Sequence, residues 1–373
     1  MHDRAMKSTL LALTILWACC MPGARAADGP CAAVTAAQAQ GFDPVALCDV
    51  LHHFTSGTTN FHALVIERHG VVVAEAYRRG KDESIYSLFG RSTDFDATRR
   101  HDVRSISKSV TSLLWGIAKG QGKVPPLDTP VLDLLPELTD LQGQGREAIT
   151  LSHLFDMSSG LDWNEPNAYN SSRNDEHGLF WHSSQARYLF DRAVVVPPGT
   201  RFNYNGGGTA VIAHILAQRV GLPLPEYARR YLFEPLGITD WEWVNDVRGR
   251  PLAFAGLRLR PIDLARIGRM VLAHGRWQGR QVVPAEWIEE TLRPRIDIGD
   301  GLRYGRQWWA GTAVDAQGAK HAWTAGFGNG GQRLFVVPEL DLVVVITAGD
   351  YNQVAIARLA NQLFRSIAVT VRN

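Results

Sequence analysis

Lysine is nearly absent. The 373-residue chain holds it only at Lys7, Lys81, Lys108, Lys119, Lys123 and Lys320, so six of its 39 basic residues are lysine and the rest are arginine. A guanidinium cannot surrender its proton, whereas an ammonium can be tuned by burial and neighbouring charge, so each lysine is a candidate for proton transfer. Charge of either sign is also in short supply. The formal net charge is +2 and the arginines are scattered, which excludes the basic stripe that nucleic-acid binding needs. Of the four cysteines only Cys31 and Cys48 lie beyond residue 26, where a leader would be cleaved, and two are too few for a cysteine framework or a cysteine-based zinc site. The chain has no internal repeat, no long Gly/Ser linker, no G-x-S-x-G elbow, no H-E-x-x-H and no phosphate-cradling loop. No serine lies between Ser184 and Ser366, so a late-chain Ser-His-Asp triad has no nucleophile. His52, His53, His153, His177 and His182 lack metal-ligand spacing, and no metal site is expected.

The rest is the composition of a globular protein, 45% hydrophobic and 20% charged. Arg4 and Lys7 precede an apolar run from Leu10 to Met21, followed by Ala24-Arg25-Ala26, the pattern of a secretory signal cleaved after residue 26. The run is shorter than the roughly twenty residues a bilayer-spanning helix requires, so no stable membrane insertion is expected. Cys19 and Cys20 leave a lipid anchor as a minor alternative. After cleavage Cys31 and Cys48 remain, an even pair able to form a disulfide in a periplasmic or secreted protein.

The remainder, residues 27–373, shows no clean internal boundary. "HALVIERHGVVVAEAYR" from His62 reads as a β-hairpin, and "GQRLFVVPELDLVVVITAG" as two strands parted by Pro338. Helical spacing recurs in Ser105 to Lys119, and in stretches beginning at Ile149, Thr209, Leu224 and Pro261, with a last helix over about Val354 to Ile367. The expected class is α/β of the α+β kind: a sheet built from about 50–104 and 265–373, with a helical part over about 105–264. Asp175-Glu176 reads as a solvated loop.

Ser105 and Lys108 lie three apart, hence on one face of that helix. A serine at a helix start sits among free backbone N–H groups, a favourable place for a developing oxyanion, and the lysine one turn on accepts its proton if its pKa is lowered. Alone, S-x-x-K is weak: Ser105 serves equally as an N-cap and Lys108 as a solvated residue.

The neighbours change the weight. "HDVRSISKSVTSLLWGIAKGQGKVPPLDTPVLDLLPEL", "ITLSHLFDMSSGLDW", "PPGTRFNYNGGGTAVIAHIL", "AGLRLRPIDLARIGRMVL" and "GNGGQRLFVVPELDLVVV" resemble, in order, segments of the serine hydrolases related to class C β-lactamases and D,D-peptidases. The motifs lie nearest the 6-aminohexanoate-dimer (nylon-oligomer) hydrolase branch. The resemblance implies a β-lactamase/transpeptidase-like fold, mainly antiparallel sheet with flanking helices and a helical insertion. It implies Ser105 as the acylated nucleophile, with Lys108 and Tyr204 as its proton-transfer partners and no cofactor. Tyr204 stands where Y-x-N begins, but the asparagine is replaced by Gly206. The K-T-G motif is absent. One register puts Trp323-Thr324-Ala325 in its place; the preferred one puts Gly328 to Gln332 there, making the Asn329 N–H the second oxyanion donor beside that of Ser105. Trp163, Asn205 and Gly328 are then the expected substrate-binding residues, with Trp163 as an apolar wall.

Loss of the K-T-G lysine removes the usual partner of a substrate carboxylate, unless Arg333 or another arginine substitutes. An uncharged small linear amide or ester is therefore the expected substrate, ahead of a β-lactam or a peptide C-terminus. A protein that keeps the pocket without turnover is the alternative of another class.

Overall fold

A computed structural model describes residues 31, 34–87, 89–165, 171 and 173–372. The expected signal segment, with Cys19 and Cys20, lies outside the described residues. Among them, no helix is long and apolar enough to cross a membrane.

One eight-stranded sheet organises the chain. Its strands are β1 (Phe61–Arg68), β2 (Val71–Tyr77), β3 (Ile296–Gly299), β4 (Leu302–Gly305), β5 (Trp308–Val314), β6 (Lys320–Gly328), β7 (Gln332–Val337) and β8 (Leu342–Ala348). They run in the order β3-β4-β5-β6-β7-β8-β1-β2, and every adjacent pair is antiparallel. The first and last parts of the chain thus meet at the β1–β8 seam. The expected hairpin is β1–β2, turning at His69-Gly70. Pro338 opens a short 3-10 turn between β7 and β8, where its missing N–H breaks no ladder.

Both faces of the central strands are covered, which explains why β1 and β8 read as continuous apolar runs rather than alternating ones. On one face, Leu64, Ile66, Val344 and Ile346 pack with Leu47, Leu51 and Phe54 of α1 (Pro44–Ser56) and with Phe364 of the C-terminal helix. On the other, Val65, Val343 and Val345 join the larger core built from the helical region. That region contains α2 (Ile106–Gly120), α3 (Gly206–Val220) and α4 (Pro261–Leu272); α5 (Val354–Ala368) is the C-terminal helix. A disulfide joins Cys31 and Cys48, tying the N-terminal segment to α1.

Helix α2 is buried on every side from Ile106 to Ala118, so its polar residues Ser107, Lys108, Ser109, Thr111 and Ser112 are buried too. Two of them find acceptors on surrounding elements: Ser109 Oγ donates to the Gln307 carbonyl at 2.8 Å and Thr111 Oγ1 to that of Ala253 at 3.1 Å. Gly116 lets Trp287 lie against the helix, since a Cβ there would stand 2.2 Å from the indole. The helix is thereby fixed between sheet and helical region, with its N-terminus opening into a cleft.

Candidate active site

That cleft, a cavity of about 360 Å³, is lined by Ser105, Arg104, Asn329, Glu176, Tyr351 and the aromatic Tyr86, Phe180 and Trp181, among others. Tyr86 and Trp181 are exposed and form an apolar rim. Ser105 sits at the N-cap of α2 but makes no side-chain capping bond, leaving its hydroxyl for other work. The residue before it, Arg104, has φ +50°, a left-handed conformation that costs a non-glycine residue about 1–2 kcal/mol. This turn delivers Ser105 from the strand-like segment His101–Asp102 to the helix start. Such strain persists only where surrounding contacts hold it, here the Arg104 guanidinium on the Glu83 carbonyl at 2.7 Å and over the Tyr351 ring at 4.1 Å.

Lys108 Nζ lies 3.0 Å from Ser105 Oγ and 3.0 Å from the Phe254 carbonyl, and its side chain is 1% exposed. It also lies 4.8 Å from the centre of the Tyr204 ring. The Tyr204 phenol lies close enough to both Ser105 and Lys108 to influence their electrostatics. An aromatic cluster of Phe202, Tyr304 and Trp309 packs round the phenol and fixes its position.

Two carboxyl groups complete the environment of the lysine. Glu176 Oε2 is 3.5 Å from Lys108 Nζ and Glu165 Oε1 is 3.8 Å away, both residues being buried. The expected solvated loop at Asp175-Glu176 is therefore corrected: a 3-10 turn over Asp175–Phe180, capped by the Asn174 side chain, drives Glu176 inward. Glu165 Oε2 accepts from the Trp163 indole N–H at 2.9 Å and from the Gly206 N–H at 2.6 Å. A Cβ on residue 206 would stand 2.8 Å from Glu176 Oε2 and 3.3 Å from Glu165 Oε2, so the glycine makes room for the pair.

The electrostatics follow from this crowding. Burial, the largest single influence on Lys108, lowers its pKa, but Tyr204, Glu176 and Glu165 together outweigh it and leave the pKa raised. The expectation that Lys108 accepts a proton required a lowered pKa, and the carboxyl pair reverses that condition. Glu176 is pushed well above the ordinary carboxyl range, first by burial and then by Glu165, against the opposing pull of Lys108. Burial also raises the Tyr204 phenol.

The other sequence-designated residues are placed as follows. Asn329 lies on the turn between β6 and β7 and lines the cleft with Ser105; its side chain is engaged with Asn352, which lines the same cavity. Trp323 of the alternative register is instead packed against Phe335 and Phe364. Three expected substrate-binding residues are not on the cleft wall. Trp163 is 3% exposed and belongs to the core, because its indole N–H is held by Glu165. Asn205 is a buried helix cap, its side-chain oxygen accepting from the Gly208 N–H at 3.0 Å. Gly328 is buried in β6, where a Cβ would meet the Val103 carbonyl at 2.4 Å. Arg333 is likewise committed elsewhere, to the Gln332 and Ala357 carbonyls and the Asn361 side chain.

A family model described as Beta-lactamase matches residues 60–364. The chain is 28% identical over 303 residues to the 6-aminohexanoate-dimer hydrolase of Paenarthrobacter ureafaciens, covering 76% of this chain and 71% of the relative. Among solved structures, a putative 6-aminohexanoate-dimer hydrolase from Bacillus anthracis superposes with a TM-score of 0.64 at 20% identity, over 82% of this chain and 79% of the other. EstCE1, described as a hydrolase with promiscuous acyltransferase activity, gives a TM-score of 0.69 at 18% identity, over 89% and 100%. The architecture is the β-lactamase/transpeptidase-like fold.

Proposed function

We propose, from the premise that this chain belongs to the beta-lactamase family and is a hydrolase related to amidases and esterases, that it is an exported serine hydrolase. In this proposal residues 27–373 are the mature enzyme, cleaving small linear amides or esters through an acyl-enzyme on Ser105. The observation that carries the reading is the buried contact of Lys108 Nζ with Ser105 Oγ at 3.0 Å, beside the Tyr204 hydroxyl. The Cys31–Cys48 disulfide supports export, since such bonds persist in oxidising compartments.

The serine oxygen attacks the substrate carbonyl carbon and its proton moves to Lys108 Nζ. Lys108 accepts it only by passing one of its own protons to the carboxyl pair, 3.5 and 3.8 Å away. The lysine–carboxyl group thereby gains one positive charge, which the oxyanion forming on the substrate balances, so no unpaired charge is created in the buried site. The N–H groups of Ser105 and Asn329 hold the oxyanion. Tyr204, beside both partners, relays a proton to the departing amine or alkoxide as the C–N or C–O bond breaks. A water then attacks the ester of Ser105 by the same route in reverse.

The substrate class follows from what faces the cleft. Its arginine, Arg104, is engaged by the protein itself, donating to the Glu83 carbonyl at 2.7 Å and standing 3.6 Å from the Asp102 carboxylate that it shares with Arg258. The exposed aromatic rim suits an uncharged chain better than a carboxylate. Intact mass after brief exposure to a p-nitrophenyl ester tests the proposal. The expected result is an acyl adduct on wild type but not on Ser105→Ala, with released nitrophenol far exceeding the protein. An adduct without turnover favours a sensor-like pocket, rapid cleavage of a chromogenic cephalosporin favours a β-lactamase, and activity retained by Ser105→Ala refutes the mechanism.

A further inference from the structure

Behind the cleft, away from Ser105, two buried histidines face each other. His62 opens β1 and His101 stands four residues before the nucleophile, and both are essentially inaccessible to solvent. His62 Nδ1 lies 2.8 Å from His101 Nε2. Their outer nitrogens fix the tautomers. His101 Nδ1 is 2.9 Å from the Asp102 carbonyl, an acceptor only, so it carries hydrogen. His62 Nε2 faces the Lys81 carbonyl at 3.1 Å and the Asn60 side-chain oxygen at 3.2 Å. The Asn60 amide is oriented by the Lys81 N–H donating to that same oxygen at 2.9 Å, so His62 Nε2 also carries hydrogen.

Neutral imidazole has one N–H. With both hydrogens on the outer nitrogens, the two inner nitrogens point bare lone pairs at each other across 2.8 Å, an arrangement that repels unless a cation sits between them. Asp82 is the third member of the group, one potential ligand atom from each of the three residues lying within 4.8 Å of the other two.

We propose that His62 Nδ1, His101 Nε2 and the Asp82 carboxylate bind a divalent transition-metal ion of the zinc type. Two imidazoles and one carboxylate are a common zinc donor set, and a water completes the tetrahedron on the half-exposed side of Asp82. Zinc–nitrogen bonds of about 2.0–2.1 Å at a tetrahedral angle set the two nitrogens about 3.3 Å apart, so binding widens the present gap by about half an ångström. The second layer is already built. Metal-ligating histidines donate their outer N–H to a carbonyl or carboxylate, which is what Asp102, Lys81 and Asn60 provide.

The site is structural with respect to hydrolysis. Asp82 accepts from the Tyr351 hydroxyl at 2.9 Å, and Tyr351 lines the cleft beneath Arg104. The ion would clamp β1, the segment at Asp82 and the approach to Ser105, none of which depends on the proposed reaction.

The test uses the full mature chain stripped with a chelator and dialysed, titrated with zinc sulfate by calorimetry and followed by thermal unfolding. Wild type is expected to take up one equivalent and gain a few degrees in Tm. Asp82→Asn, a change at the half-exposed ligand, is expected to weaken binding at least tenfold, and His101→Gln to abolish it. His53→Ala, on the exposed side of α1, leaves it unchanged. Cobalt in place of zinc is expected to show the visible absorption of a tetrahedral site. Failure of wild type to take up zinc overturns the proposal, as does uptake that survives both Asp82→Asn and His101→Gln, or imidazole nitrogen resonances showing one proton shared between the rings. If His101→Gln does not fold, Asp82→Asn decides. Activity of the apo form toward esters bears on the hydrolase reading alone.

Discussion

Replacing the two carboxyls near Lys108 one at a time should give unequal results. Each stands 3.5–3.8 Å from the ammonium, where a full charge pair is worth about 4–5 kcal/mol at an effective dielectric of 20. One ammonium needs one carboxylate, and a second would leave a buried negative charge. Glu176, whose pKa is pushed up by burial and by Glu165, is the one that keeps its proton. Glutamine copies a protonated Glu176: its amide donates to Glu165 and its oxygen accepts from Lys108. Glu176→Gln is therefore expected to change stability by less than about 1 kcal/mol below about pH 4.5, where wild-type Glu176 is protonated in both the folded and the unfolded state.

Glu165→Gln differs. Its retained oxygen satisfies Trp163 and Gly206, which turns the amide NH2 toward Lys108 at the former ion-pair distance. Glu176 must then release its proton to balance the lysine, against the burial that favours its protonated form, so this variant is expected to be the less stable of the two. The double variant leaves Lys108 without a counter-charge, and breaking such a pair costs about 3–5 kcal/mol. Urea unfolding of the four proteins measures this directly, and the double is expected to exceed the sum of the singles. pH supplies the sign. The folded-state pKa of Glu176 lies above its unfolded value, so the stability it contributes is full below about pH 4.5 and is lost as pH rises through the raised value. Glu176→Gln removes that loss and should gain on wild type progressively as pH rises above about 4.5. Equal destabilisation by the two single substitutions, or strict additivity, refutes the charge assignment.

Gly206→Ala places a methyl 2.8 Å from Glu176 Oε2 and should lower kcat for ester hydrolysis about tenfold or more, with a smaller effect on KM, because it displaces the carboxyls rather than the cleft wall. His321 is held between Asp315 at 2.9 Å and Glu339 at 2.8 Å, and its pKa is raised by the hydrogen bond to Asp315 above all. The stability it contributes is complete below about pH 6.5 and falls as pH rises through the raised folded value, so His321→Gln should flatten the decline of Tm on the alkaline side. Reduction of Cys31–Cys48, seventeen positions apart, should cost about 3 kcal/mol by the loop-closure argument, read as a lower Tm in reductant.

Periodicity carried the parts of the fold that are buried on a regular face. The β1–β2 hairpin, the break at Pro338, α2 and the final helix all announce themselves in the order of apolar residues. The stretch from Ile296 to Gly328 does not, although it forms four of the eight strands, because β3, β4 and β5 lie toward one edge of the sheet and mix glycine, polar and aromatic residues. At the site, the sequence singles out Ser105, Lys108 and Tyr204, and the structure brings those three together. Glu165 and Glu176 escape notice because each lies in an acidic, asparagine-rich loop that looks solvated, and only the fold of that loop turns them inward. The His62–His101–Asp82 group is hidden for the same reason: its members are 39 and 19 positions apart and share no element.

The departures from the family motifs are connected rather than separate losses. Where the Y-x-N asparagine is expected, Gly206 removes a side chain and offers its N–H to Glu165 at 2.6 Å. The vacated volume is the volume the two carboxyls occupy, as the 2.8 and 3.3 Å contacts of an added Cβ demonstrate. An amide that would have faced Lys108 has thus given way to two groups from the adjoining loop that also face it, and that can take up a proton where an amide cannot. A pocket drifting away from catalysis has no reason to keep a buried lysine, which is costly unless paired. Here Lys108 retains three hydrogen-bond acceptors, Ser105 Oγ, the Phe254 carbonyl and Glu176, matching the three protons of an ammonium. That full complement, rebuilt after the loss of the motif residue, weighs toward a working hydrolase over a pocket that only binds.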